Sequence, residues 1–254
     1  MRMLEGKKGL ILGIANEHSI AWACAQAMHQ AGAQLGATWQ TDKSRSYVEP
    51  LLDSLPMQIK QALDVSDDAQ WQSLFETVAE RWGQLDFLIH SIAFAPQKDL
   101  HGRVLDCSRE GFSQAMDISC HSFIRAAQWA APLMKQGGSL MAMSYLGSER
   151  VVPNYGLMGP VKAALEATVR YLAAELGPAG IRVNSVSPGA IATRAASGLQ
   201  DFDALVQDYA QRAPIPGVLS SQDIAPLCVF LASDGARAMS GTTLYVDGGY
   251  HILS

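Results

Sequence analysis

A chain of 254 residues, 48% hydrophobic and 17% charged, has the length of one large α/β domain and the composition of a folded protein rather than a disordered one. A net charge of -5 leaves no basic footprint for nucleic acid, and no apolar run reaches the roughly 20 residues that a bilayer span needs. The N-terminal stretch Met1 to Lys8 has neither a long apolar segment nor a small-residue cleavage site, so no signal peptide is expected, and the four scattered cysteines (Cys24, Cys107, Cys120, Cys228) read as reduced thiols of a cytoplasmic protein with no zinc-binding spacing.

Apolar runs alternate with helical patterns along the whole chain. Gly9 to Gly13 reads as a first strand, Ser19 to Ala31 as a helix ended by Gly32, and Ala33 to Trp39 as a second strand. A helix is expected over Ser46 to Leu55, a strand over Ile59 to Leu63, and a helix over Asp68 to Trp82, where Trp71, Leu74, Phe75, Val78 and Trp82 recur at helical spacing. Leu85 to His90 forms the fourth strand. The second half continues with a long helix over Phe112 to Met134, a strand over Gly138 to Ser144, a helix over Pro160 to Leu176 and a strand over Ile181 to Val186. A short helix near Ile224 to Ala232 and a strand over Thr243 to Val246 close the chain. This alternation predicts βαβ units wound right-handedly into a single doubly wound parallel sheet, a Rossmann-type α/β/α domain over residues 1–254, whose ligand sits at the carboxyl ends of the strands.

Candidate cofactor residues follow from those strand ends. Gly13 opens the first turn and allows close backbone approach; Ser19 can cap the next helix, whose free amides, beginning at Ile20, suit a pyrophosphate, although an ordinary βα loop fits the same residues. Gln40 after the second strand offers no positive charge to a 2′-phosphate, which favours NADH over NADPH; Lys43 and Arg45 lie close by. Asp64 and Val65 after the third strand can bracket an adenine, or Asp64 can cap a turn. Ser91, Ile92 and Ala93, with Ala95 beyond them on the substrate side, are small enough for a ribose and nicotinamide to lie against the backbone.

The most informative stretch runs from Ser144 to Lys162. Ketone-reducing short-chain dehydrogenases carry Tyr-x-x-x-Lys with a Ser thirteen residues before the Tyr. With Lys162 as the lysine, the tyrosine position is Met158 and the serine position is Tyr145, so that arrangement is absent; in its place Tyr155 stands seven positions before Lys162. A surface tyrosine and a solvated helix lysine would be the structural alternative.

This spacing resembles that of the bacterial enoyl-acyl-carrier-protein reductases, the FabI-type branch of the short-chain dehydrogenase/reductase superfamily, and the resemblance spans essentially the whole chain. It implies NADH-dependent reduction of the trans-2 double bond of an enoyl thioester carried on acyl-carrier protein, and a homotetramer. It implies catalytic roles for Tyr145, Tyr155 and Lys162 and a substrate contact for Met158. On this reading a nearby ammonium, Lys162, favours the ionised form of Tyr155 and binds the nicotinamide ribose; Tyr145 shapes the acyl pocket or relays a proton. A substrate-binding loop is expected around residues 191–206, with Ile191, Ala192, Thr193, Arg194 and Ala195 against the cofactor. The chain departs from the family pattern at Ala190, where a Pro is common, at Arg194, a charge in place of an apolar residue, and at Ala93, where some members have Gly. A keto or hydroxy dehydrogenase and an inactive NAD-binding regulator are the competing readings.

Overall fold

The computed structural model describes residues 2–193, 196–199 and 201–253. Its centre is a seven-stranded, wholly parallel sheet. In chain order the elements are β1 (Lys8–Leu12), α1 (Ile20–Gln30), β2 (Gln34–Trp39), α2 (Asp42–Asp53), β3 (Ile59–Ala62), α3 (Asp68–Trp82) and β4 (Phe87–His90). There follow α4 (Gln97–Leu100), α5 (Arg109–Met116), α6 (Ser122–Ala130), β5 (Gly138–Met143), α7 (Met158–Leu176), β6 (Ile181–Pro188), α8 (Phe202–Arg212), α9 (Ser221–Ala232) and β7 (Thr243–Val246).

The strand order is β3-β2-β1-β4-β5-β6-β7. The chain winds outward from β1 through β2 to β3, then crosses back to lay β4 on the other side of β1, with Leu10 opposite Leu88 and Leu12 opposite His90. The strand order therefore reverses between β1 and β4, and the loops leaving those two strands diverge into a crevice. The strands read as near-continuous apolar runs because helices cover both faces. On one face Trp22 and Met28 of α1 pack with Ile224 and Leu231 of α9. On the other, Trp71 of α3, Phe123 of α6 and Leu165 and Val169 of α7 form a second core. Trp71 and Phe123 are fully buried; truncating such a ring to Ala costs about 3–5 kcal/mol. A third cluster, at the carboxyl end of the sheet, holds Tyr145, Tyr155, Leu157, Met158, Ala190 and Tyr209.

Several expected elements differ. The second helix starts at Asp42 rather than Ser46, because Thr41 and Ser44 form a reciprocal capping box at its N-terminus. The long helix expected over Phe112 to Met134 is α5 and α6 joined by a π-helical stretch, Asp117–His121, and closed by a 3-10 turn, Ala131–Leu133. Within the expected substrate loop, Ala196–Gly198 is a 3-10 turn and α8 begins at Phe202. No helix among the described residues is long and apolar enough to cross a membrane.

Candidate active site

A cleft of about 720 Å³ opens along the carboxyl ends of the strands. Of the expected site residues, Gly13, Ser19, Ile20, Gln40, Val65, Ser91, Ile92, Ala93, Ala95, Tyr145, Tyr155, Met158, Lys162, Ile191 and Thr193 line it. Asp64 and Ala192 do not. Asp64 Oδ1 accepts from the backbone N–H and the hydroxyl of Ser66, at 2.9 and 2.6 Å, which makes it a turn cap in this structure. Arg194 and Ala195 lie outside the described residues.

One end of the cleft has the features of a dinucleotide cradle. Gly13 has φ +93°, and a Cβ built there would stand 2.4 Å from the Ser91 carbonyl oxygen; only glycine lets the β1 turn pass so close to the end of β4. Ser19 occupies the N-cap position of α1, but its hydroxyl does not cap: it donates backwards to the Asn16 carbonyl at 2.6 Å. The amides of Ile20 and Ala21 have no partner among the described residues, so the helix N-terminus offers N–H groups and its positive dipole end to an anion. These residues fit a bound dinucleotide. At the far end of β2, Arg45 is engaged by Glu49 through two hydrogen bonds of 3.1 and 2.9 Å and is not in the lining, whereas Lys43 is.

The other end carries the titratable groups. Tyr145 stands two residues beyond the end of β5, and Tyr155 lies three residues before the start of α7. Their rings pack at 4.7 Å between centroids with planes 55° apart. Gly147 is what admits Tyr155: a Cβ there would lie 2.3 Å from the ring's Cδ1. Met158 opens α7, and Lys162 follows one turn later, 4% exposed, with Nζ donating to the Met143 carbonyl at 2.6 Å. Burial lowers the Lys162 ammonium to a pKa of about 8 and raises that of Tyr145 to about 12. Burial raises Tyr155 further, with Tyr145 and Glu166 acting in the same direction. The expectation that Lys162 favours an ionised Tyr155 is not met: burial acts first, and it raises the phenol's affinity for its proton.

Some groups the sequence reading missed. Ser119, in the π-helical stretch, accepts from Phe94 N and donates to Phe94 O, both at 2.9 Å, and so fixes the segment after β4; π-bulges are frequent at functional sites. Leu199 and Phe202 supply apolar wall from the α8 side. Glu166 is buried and takes hydrogen bonds from Ser144 and Ser148. Its signal was present in the sequence, since a glutamate four positions after Lys162 shares the lysine's helix face.

A doubly wound parallel sheet whose crevice joins a phosphate-binding helix end to a buried phenol and ammonium is the architecture of a dinucleotide-dependent oxidoreductase. The family model described as "Enoyl-(Acyl carrier protein) reductase" matches residues 13–251. The chain is 43% identical to enoyl-[acyl-carrier-protein] reductase [NADH] 1 of Rhizobium meliloti, over 99% of this chain and 92% of that one. It is 45% identical to enoyl-[acyl-carrier-protein] reductase [NADH] FabI of Synechocystis, over 98% of each. Among solved structures, the Bacillus cereus enoyl-acyl carrier protein reductase with NADP+ and an indole naphthyridinone superposes with a TM-score of 0.97 at 41% identity over 100% of both chains. The chain belongs to the enoyl-acyl-carrier-protein reductase family of oxidoreductases.

Proposed function

We propose that the protein reduces the trans-2 double bond of enoyl thioesters held on acyl-carrier protein, using NADH, in the elongation cycle of type II fatty-acid synthesis. It would act as a cytoplasmic homotetramer. The observation that carries the reading is the placement of Tyr155 and Lys162 on one wall of the cleft, with Met158 where a ketone reducer would have its tyrosine.

The residues divide the work as follows. Gly13 and the α1 amides would hold the pyrophosphate, Gln40 would face the adenosine ribose, and Lys162 would donate to the nicotinamide ribose hydroxyls. The reduced nicotinamide, when bound, supplies the hydride that saturates C3. Negative charge would then gather on the thioester carbonyl oxygen, Tyr155 would donate a hydrogen bond to that oxygen, and a proton from water taken up at C2 would complete the saturated thioester. A neutral phenol is suited to this task, because a phenolate would repel the developing charge; one such donor is worth roughly 2.7–4 kcal/mol in the transition state. Tyr145, packed against Tyr155, and Met158 shape the acyl pocket, the thioether adapting to the chain. Arg45 is tied to Glu49 and Gln40 is neutral, which supports NADH; Lys43 is the one of the two cations that reaches the cleft. For the tetramer, Tyr171 of α7 and Phe112 of α5 are exposed on the isolated chain, 73% and 40% respectively, and give an apolar face for another subunit.

The test is loss of NADH absorbance on a series of enoyl thioesters of increasing length, with NADPH and with acetoacetyl thioester in parallel. The reading expects oxidation of NADH with crotonyl and longer enoyl thioesters, and none with the keto thioester. Turnover of the keto substrate alone would make the protein a keto reductase. Binding of NADH without turnover of any substrate would make it a regulator.

A further inference from the structure

The mechanism above makes no use of Glu166, although a buried carboxylate is costly to keep unless its neighbours compensate it. Glu166 is 4% exposed, and its Oε1 accepts from two hydroxyls: Ser144 Oγ and, at 2.7 Å, Ser148 Oγ. The positions of the three residues are informative. Ser144 adjoins Tyr145 at the carboxyl end of β5. Ser148 ends the 3-10 turn Leu146–Ser148, whose Gly147 backbone lies against the Tyr155 ring. Glu166 stands on α7 one turn beyond Lys162, on the same buried side of the helix.

We infer that Glu166 is a positioning residue of this active site: its carboxylate fastens together the segments that carry Tyr145, Tyr155 and Lys162, and its charge holds Lys162 as an ammonium. The second half rests on the proposed role of Lys162 as the ribose-binding cation. The groups facing Lys162 come from three elements. Cys120, from the π-helical stretch, acts first among them to raise the lysine's affinity for its proton, while burial pushes its own thiol up. His90, at the end of β4, is pushed down to about 3 by burial and by Lys162 itself, and is neutral at working pH. Glu166, from the lysine's own helix, is the carboxylate among them and acts to raise the lysine's affinity for its proton. Burial opposes it and wins in the empty cleft. The lysine there titrates near pH 8, so binding of the anionic dinucleotide at that pH should draw a proton onto it.

Glu166→Gln separates the two functions, because the amide oxygen still accepts from both serines while the charge is gone. The experiment is calorimetry of NADH binding from pH 6 to 10, in buffers of different ionisation enthalpy, on the wild type and on Glu166→Gln, Ser148→Ala and Lys162→Met. The wild type takes up a proton on binding with a midpoint near pH 8. In Glu166→Gln the midpoint falls by about one pH unit. NADH then binds about tenfold more weakly than to the wild type at pH 9, and equally well below pH 6. Ser148→Ala, which keeps the carboxylate, leaves the midpoint in place. Lys162→Met takes up no proton. An unmoved midpoint in Glu166→Gln, with uptake abolished in Lys162→Met, overturns the role given to Glu166. Uptake that persists in Lys162→Met overturns instead the reading of Lys162 on which it rests.

Discussion

At the residue scale the chemistry depends on which proton each buried group keeps. Tyr155 lies between the Gly147 backbone and the Tyr145 ring, and burial pushes its phenol's pKa up. In the proposed mechanism it is a donor of the kind that stabilises charge appearing on a carbonyl oxygen without needing to reorganise. Tyr155→Phe removes the donor and keeps the ring. Turnover of a crotonyl thioester should fall by about 10²–10³-fold, with the melting temperature and the affinity for NADH unchanged, as steady-state kinetics and calorimetry would show. Undiminished turnover would remove Tyr155 from the chemistry. Much at this scale was legible in the sequence. The seven-position offset between Tyr155 and Lys162, with Met158 and Tyr145 in the displaced positions, pointed to four residues that do line the cleft. The sign of the Tyr155 shift was not legible, because a spacing says that a cation is near but not how much water the fold excludes. Nor was the use of Asp64 as a turn cap, since a carboxylate at a strand end serves either purpose and only its bonds to Ser66 decide.

At the scale of elements, the sequence was clear where one periodicity ran unbroken. The helix Asp68–Trp82 coincides with its apolar pattern, and both of its ends are signalled, by Asp67 accepting from the amides of Ala69 and Gln70 and by Gly83 in the left-handed conformation. The helix expected over Phe112 to Met134 was drawn too long. A π-turn shifts the register without breaking the apolar pattern, so the interruption at Asp117–His121 is silent in sequence while it brings Ser119 beneath Phe94. Helix α8 was missed because the small residues before it read as a loop and its N-cap residue, Asp201, takes a positive φ of 53° that no motif announces. Yet α8 and the turn before it bring Leu199 and Phe202 to the cleft, which suits a cover that excludes water during reduction. Amide exchange over α8 should slow when NADH and a saturated acyl thioester bind together, and mass spectrometry of peptides spanning 202–212 would measure it. Equal exchange in the free and bound states would leave α8 as a static wall.

At the scale of the whole molecule, the cost of the site appears as a pH dependence of stability. The folded state holds Lys162 at about 8 against an ordinary 10.5. Between those values the unfolded chain binds more protons, so stability from this group rises as pH increases through the window. Tyr145 and Tyr155 act in the opposite sense above pH 10, because the folded state keeps phenolic protons that the unfolded chain has released. The wild type should therefore gain melting temperature between pH 8 and 10 and lose it above. Lys162→Met should flatten the gain and leave the loss, in a thermal melt series across pH; an identical gain in the variant would place its origin elsewhere. The fold tolerates this cost because an apolar core on each face of the sheet supports the one wall of buried titratable groups at its carboxyl end. The most direct test of the whole account is a crystal structure of the protein with NAD and an enoyl thioester bound together. The account predicts the Tyr155 hydroxyl about 2.7–3.1 Å from the thioester carbonyl oxygen, with Lys162 Nζ on the nicotinamide ribose. A thioester oxygen bound by other donors, with Tyr155 turned from it, would contradict it.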